Sequence, residues 1–183
     1  MAVKNELNFS ISKSGLFNLV SFALIIATLC ILLTTVSSNS WMTASDDGDD
    51  LLWGLSEFEE SERWTSSMVD YNSDECPDEL SCDDAGAAGI TGLIFMWISI
   101  AAVFGSLVTL CLNNLGLYKS NYAFVLSFTA GGLAIVGAII WLVMFPEIEA
   151  AKEEDGLGAG SAFYLTIIAG LLSVGSCLLY TSD

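Results

Sequence analysis

The stretch "YAFVLSFTAGGLAIVGAIIWLVMF", residues 122–145, contains no charged side chain. As an α-helix it would exceed the ~30 Å of a bilayer's hydrocarbon core, which takes roughly 20 residues to cross. Lipid offers no partner for a backbone N–H or C=O, so a segment of this kind must satisfy its own backbone by coiling into a helix. This reading predicts a transmembrane helix over Tyr122–Phe145.

Three further uncharged runs flank it: Ser14–Ser45, Ala85–Tyr118 and Gly156–Ser182. Hydrophobic residues make up 54% of the 183, and the mean hydropathy is +0.63, a membrane-like composition. The fold class is therefore an all-α membrane protein, a bundle of four transmembrane helices. The spans are expected at 16–38, 88–111, 122–145 and 161–180. They leave an N-terminus over 1–15, a long loop over 39–87, a turn over 112–121, a second loop over 146–160 and a tail over 181–183. The first span begins after Lys4 and Lys13, but its apolar stretch is longer than the roughly 7–15 residues of a signal-peptide core. It reads as a retained helix.

Charge sets the orientation. Lys4, Lys13 and Lys119 lie near span ends on one side, against Lys152 on the other, and Arg63 is central in a long loop. By the positive-inside rule both termini and the 112–121 turn are cytoplasmic. The two remaining loops lie outside, and of the 22 acids only Glu6 and Asp183 fall elsewhere. The net charge of −17 thus belongs to the outer face, and nucleic acid is not expected as a partner.

The cysteines fit that topology. Cys76 and Cys82 frame "CPDELSC" in the outer loop, where an oxidising compartment lets a disulfide persist. Two free thiols or half of a metal site are the alternatives, and the latter would need further ligands in a chain with no histidine. Cys30, Cys111 and Cys177 fall within spans and read as small packing residues, with Cys111 also placed for S-acylation.

Within the spans no Asp, Glu, Lys, Arg or His occurs, so the groups needed for proton relays or voltage sensing are missing. Small residues recur at helical spacing instead: Ala101/Gly105, Ala130/Ala134/Ala138 and Ala169/Ser173/Cys177. Such ridges let helices approach closely. Phe17, Phe22, Trp97, Phe104, Phe124, Phe128 and Trp141 are expected as packing or interfacial residues. No catalytic constellation is present: without histidine there is no ordinary triad, and there is no phosphate-cradling loop. No enzyme activity, cofactor or resident metal is expected.

The outer loop contains "DDGDDLLWGLSEFEE", residues 46–60, in which acids surround Leu51, Leu52, Trp53, Leu55 and Phe58. A solvated loop has no use for that apolar cluster, and a buried strand would not tolerate those acids. A folded cap needs both. Apolar residues hold it on the bundle or form one face of a small antiparallel β-sheet, and the acids face water. Trp41, Trp53, Leu55 and Trp64 are the candidate cap and interaction residues. Asp46, Asp47, Asp49 and Asp50 form an acidic turn lacking the ligand spacing of a calcium loop; it would attract cations only weakly.

These features resemble the claudin/PMP22-like tetraspan family. That family has four spans, cytoplasmic termini and a long first outer loop, with a tryptophan just after span one, a Gly-Leu-Trp and two disulfide-bonded cysteines. Here Trp41 follows span one, Leu52-Trp53 matches the Leu-Trp, and Cys76 and Cys82 match the pair. This chain departs in placing Gly54 after Trp53 and in its spacing to the cysteines. The resemblance implies a non-enzymatic protein of the cell membrane, acting in structural or adhesive contacts through its cap. Its partners would be the lipid bilayer and other membrane proteins, or further copies of itself. The other reading open at this point is a cation-attracting, pore-related or auxiliary channel subunit, because acidic surfaces concentrate cations. A saline habitat would also account for the acidity.

Overall fold

The computed structural model describes residues 13–46, 49–62, 65–70, 82–117, 122–145 and 158–181. Four long helices dominate it: α1 (Lys13–Val36), α2 (Cys82–Asn114), α3 (Tyr122–Met144) and α4 (Ser161–Thr181). Each is long and apolar enough to cross a membrane. Strands β1 (Met42–Asp46), β2 (Asp49–Trp53), β3 (Glu57–Glu62) and β4 (Thr65–Asp70) lie between α1 and α2, and β5 (Gly158–Ala159) immediately precedes α4.

The helices pack α2 on α3, α3 on α4 and α4 on α1, with lighter contact between α1 and α2. Small residues set the closest approaches. Ala130, Ala134 and Ala138 of α3 and Ala169 of α4 are wholly buried. At the α3–α4 crossing a Cβ on Gly131 would sit 2.5 Å from the Gly170 carbonyl oxygen. Backbones that close leave no room for larger residues, and the gain is dispersion contact that does not depend on excluding water. The Ala101/Gly105 ridge expected on α2 behaves differently. Ala101 is exposed, and α2 buries Met96, Ser99, Val103, Ser106 and Leu110 instead.

Hydroxyl groups supply the polar contacts. Ser127 of α3 donates to the Ser173 carbonyl of α4 at 2.9 Å, and Ser173 donates back to the Ser127 carbonyl at 2.8 Å. Ser21 of α1 donates to the Ser176 carbonyl at 3.3 Å, and Ser106 of α2 donates to the Ala123 carbonyl of α3 at 3.0 Å. Interhelical hydrogen bonds of this kind are worth about 1 kcal/mol each in apolar surroundings. On the outside, Trp97, Phe104, Phe128, Val143 and Leu171 are more than half exposed. Large apolar side chains pointing outward around a helical bundle are what a lipid-facing surface requires.

The strands form one antiparallel sheet in the order β4-β3-β2-β1-β5. It draws on both segments that link α1 to α2 and α3 to α4. β5 pairs with β1 through Met42–Ala159 and Thr43–Gly158, and the Gly160 and Ala162 amides donate to the Trp41 and Ser40 carbonyls at 2.7 and 3.0 Å. Both connecting segments therefore meet at one end of the bundle, where α1 and α3 finish and α2 and α4 begin.

Candidate functional site

The chemistry of this protein concentrates where the sheet sits on that end of the bundle. Register separates the sheet's two faces. Met42, Trp53, Phe58 and Val69 lie opposite one another in one row across four strands. Met42 and Trp53 are 2% and 4% exposed, so these two lie on the face that covers the helices. Thr43, Leu52, Glu59 and Met68 form the adjacent row. Successive strand residues alternate between faces, which puts that row on the outer face, where Met68 is 61% exposed.

An aromatic joint fastens the sheet. The Trp41 and Trp141 rings lie 5.3 Å apart, Trp141 and Phe145 5.1 Å, and Trp53 and Phe145 6.2 Å. Trp41 and Trp141 are essentially inaccessible. The Trp41 indole donates to the Thr35 carbonyl at 2.9 Å, where the end of α1 has a backbone acceptor to offer. Trp41's own amide donates to the Trp53 carbonyl at 2.9 Å, so the two tryptophans are coupled through the first strand pair.

The turn between β2 and β3 makes the second fastening. The Gly54 amide donates to the Glu57 carbonyl at 2.8 Å, which closes the turn and puts Leu55 at its tip. Leu55 is buried against α2, whose Gly89 and Gly92 clear the way: a Cβ on Gly89 would collide with the Leu55 carbonyl, and one on Gly92 would lie 3.0 Å from Leu55 Cδ2. The first turns of α2 thus act as a post for the sheet.

The candidate residues read from the sequence divide accordingly. Trp41 and Trp53 come together in the joint and Leu55 in the fastening against α2; all three are buried inside the protein, where their contacts hold the sheet to the bundle. Asp46 and Asp49 are directly opposed at the β1–β2 turn, and Asp50 faces Ser45. Cys82 is the first residue of α2. Trp64, Asp47 and Cys76 lie outside the described residues, and the expected Cys76–Cys82 bridge with them. Among the described residues no group of three or more potential metal ligands occurs.

Two features escaped the sequence reading. Phe145 is the ring shared by Trp53 and Trp141, but at the end of an apolar span nothing distinguishes it from any other interfacial aromatic. The outer face of Leu52, Glu57, Glu59, Met68 and Asp70 was signalled only by the alternation in "EFEE", where Phe58 alone breaks a run of acids. At the other end of the bundle an open groove of about 480 Å³ runs between α1 and α2, lined by Asn18, Leu19, Phe22, Cys111, Asn114 and Leu115. No protein-family model matches the chain, and no curated protein matches it significantly.

Proposed function

We propose that this is a non-enzymatic, claudin/PMP22-like tetraspan protein of the cell membrane, whose cap lies outside and makes structural or adhesive contacts with other membrane proteins. The observation that carries this reading is the cap's construction. Residues from both connecting segments are joined into one sheet and fastened to the helices by the Trp41–Trp53–Trp141–Phe145 joint. A surface held this rigidly loses little freedom on binding, which favours recognition. The placement of Trp41 beside Leu52-Trp53 supports the family resemblance, since the first loop's tryptophan and its Leu-Trp then form one structural unit.

A photo-crosslinking residue at Met68 tests it, with a second at Leu117, which is 73% exposed at the opposite end. In intact cells the Met68 probe should give a discrete cross-linked membrane protein, or a dimer of this chain, and the Leu117 probe should not. Diffuse lipid adducts alone from Met68 would refute an interaction role for the cap.

The acids support a second reading, a cation-attracting pore-related or auxiliary subunit. The nine buried polar side chains among the described residues are all serine or threonine, and each donates a hydrogen bond to a carbonyl. The bundle interior thus provides no polar conduit, and conduction would have to run along the cap or through a partner. Neutralising Asp46, Asp47, Asp49 and Asp50 to Asn would abolish a cation conductance under this reading and leave cross-linking largely intact under the first.

A further inference from the structure

The groove of about 480 Å³ at the end of the bundle away from the sheet lies in the loosest seam between neighbouring helices. Its size falls within the roughly 300–1,000 Å³ of small-ligand sites. The other three seams are tied by hydroxyl groups. Ser21 joins α1 to α4, Ser127 and Ser173 join α3 to α4, and Ser106 joins α2 to α3. The other hydroxyls of α1 and α2, Thr28, Thr35, Ser99 and Thr109 among them, bond back within their own helices. Among the described residues no such bond joins α1 to α2.

The groove's lining is apolar on one side and polar on the other. Asn18 stands five residues from Lys13, and Asn114 five from Lys119, the lysines that bound the first two spans at this end. In a helix five residues rise ~7.5 Å, so both carboxamides sit near the boundary between water and the apolar spans, on opposite walls of the groove. Neither has a hydrogen-bond partner among the described residues. Each carries two N–H donors. Phe22 and Cys111 line the groove about one turn deeper in the spans, with Leu19 beside them. An occupant therefore needs acceptors for two amides at one end and an apolar body at the other.

We propose that this groove binds a single glycerophospholipid. Its phosphate oxygens accept from Asn18 and Asn114, and one of its chains lies against Leu19, Phe22 and Cys111, filling the seam that the protein leaves open. A partner's transmembrane helix does not fit, because the lining covers about one turn of each wall, ~6 Å, and a helix is about 10 Å across. A sterol brings one hydroxyl to two carboxamides. Residues 1–12, outside the described residues, precede α1 and are the rival occupant within the chain. The site goes beyond the interaction reading of the cap and is independent of it, since it needs only that α1 and α2 span a membrane.

The probe is phosphatidylcholine added to the delipidated full-length protein in detergent, with diacylglycerol of the same chains and cholesterol as controls. Binding is read by native mass spectrometry and its effect by thermal unfolding. Phosphatidylcholine has no net charge, so the general attraction of lysines for anionic lipid does not enter. One molecule per chain should bind and raise the unfolding midpoint by mass action, and diacylglycerol should bind about tenfold more weakly, ~1.4 kcal/mol. The variant Asn18→Leu/Asn114→Leu, which keeps an apolar lining, should weaken phosphatidylcholine to a similar degree and leave diacylglycerol unchanged. Cys111→Phe, whose ring fills the groove, should abolish the response to phosphatidylcholine while its own transition without lipid is no lower than that of the native chain. Equal binding of phosphatidylcholine and diacylglycerol, or undiminished binding by the double variant, would reduce the effect to unspecific lipid contact and overturn the site. Cholesterol matching phosphatidylcholine would overturn it as well. Absence of phospholipid binding also overturns it, and binding gained on removing residues 1–12 would then give the groove to that segment.

Discussion

Trp41 and Trp53 sit side by side at the base of the sheet, yet their indole N–H groups have different fates. Trp41 donates to Thr35 at 2.9 Å, whereas the buried Trp53 and Trp141 N–H groups have no acceptor among the described residues. A buried donor left unpaired costs free energy, and removing it with a ring of similar shape is close to neutral. Trp53→Phe should therefore cost less than Trp41→Phe, which forfeits a hydrogen bond worth about 1 kcal/mol. Trp53→Ala should cost roughly 3–5 kcal/mol through the cavity it leaves. Thermal unfolding of the three variants in detergent, followed by tryptophan fluorescence, gives the order; Trp53→Phe as damaging as Trp53→Ala would mean that the indole N–H has a partner. That these residues hold a cap was legible in the sequence, because tryptophans in an acidic loop have to be buried somewhere. That they are used up in the joint was not, since hydropathy does not distinguish an anchor for the bundle from an anchor for a partner.

Span positions were legible to within a few residues for α1, α3 and α4, because an uncharged apolar run of membrane length permits little besides a helix. The helix α2 was not. Its expected span starts at 88, yet the helix starts at Cys82. Hydropathy marks where lipid ends, and the helix continues past that point because its first turns pack against the cap. The individual strands were also illegible: "DDLLW" and "EFEESE" are rich in residues that sheets usually avoid, and what ties the pair down is Trp53, buried in the joint. Close approach between helices gives a prediction at this scale. Gly131→Val should disrupt the α3–α4 crossing, since the Gly170 carbonyl and Ser173 already occupy that space. Gly132→Ala, next to it with nothing within 4 Å, should be neutral or stabilising by about 0.5–1 kcal/mol. Yield of monodisperse protein and the midpoint of thermal unfolding would separate the two. Equal damage from both would mean that Gly132 faces a neighbour absent from the isolated chain, such as a second copy in the membrane.

The described part of the molecule is electrically polarised: the acids of β1 to β4 gather at one end of the bundle, and the apolar spans carry no Asp, Glu, Lys or Arg. Mutual repulsion in the cap is long-ranged at low salt and short-ranged at high salt, with a screening length falling from about 30 Å at 0.01 M to about 3 Å at 1 M. The cap should consequently become more resistant to protease as salt rises, while the spans, which have no Asp, Glu, Lys or Arg to screen, show no change. A cap insensitive to salt would mean that bound cations already neutralise it. The same polarity makes orientation testable. Both connecting segments meet in one sheet, so in a membrane they share a side, and the proposal that this side is outside rests on three basic residues against one. Introducing cysteine at Ser56 or Met68, both exposed on the cap, and separately at Leu117, then treating intact cells with a membrane-impermeant thiol reagent, gives a binary answer. The cap positions should gain labelling over the native cysteines at once, and Leu117 only after the membrane is permeabilised. The reverse pattern would place the acids in the cytoplasm. That would remove both the contact between neighbouring cells and the oxidising surroundings assumed for Cys76 and Cys82, and with them the adhesive reading of the cap.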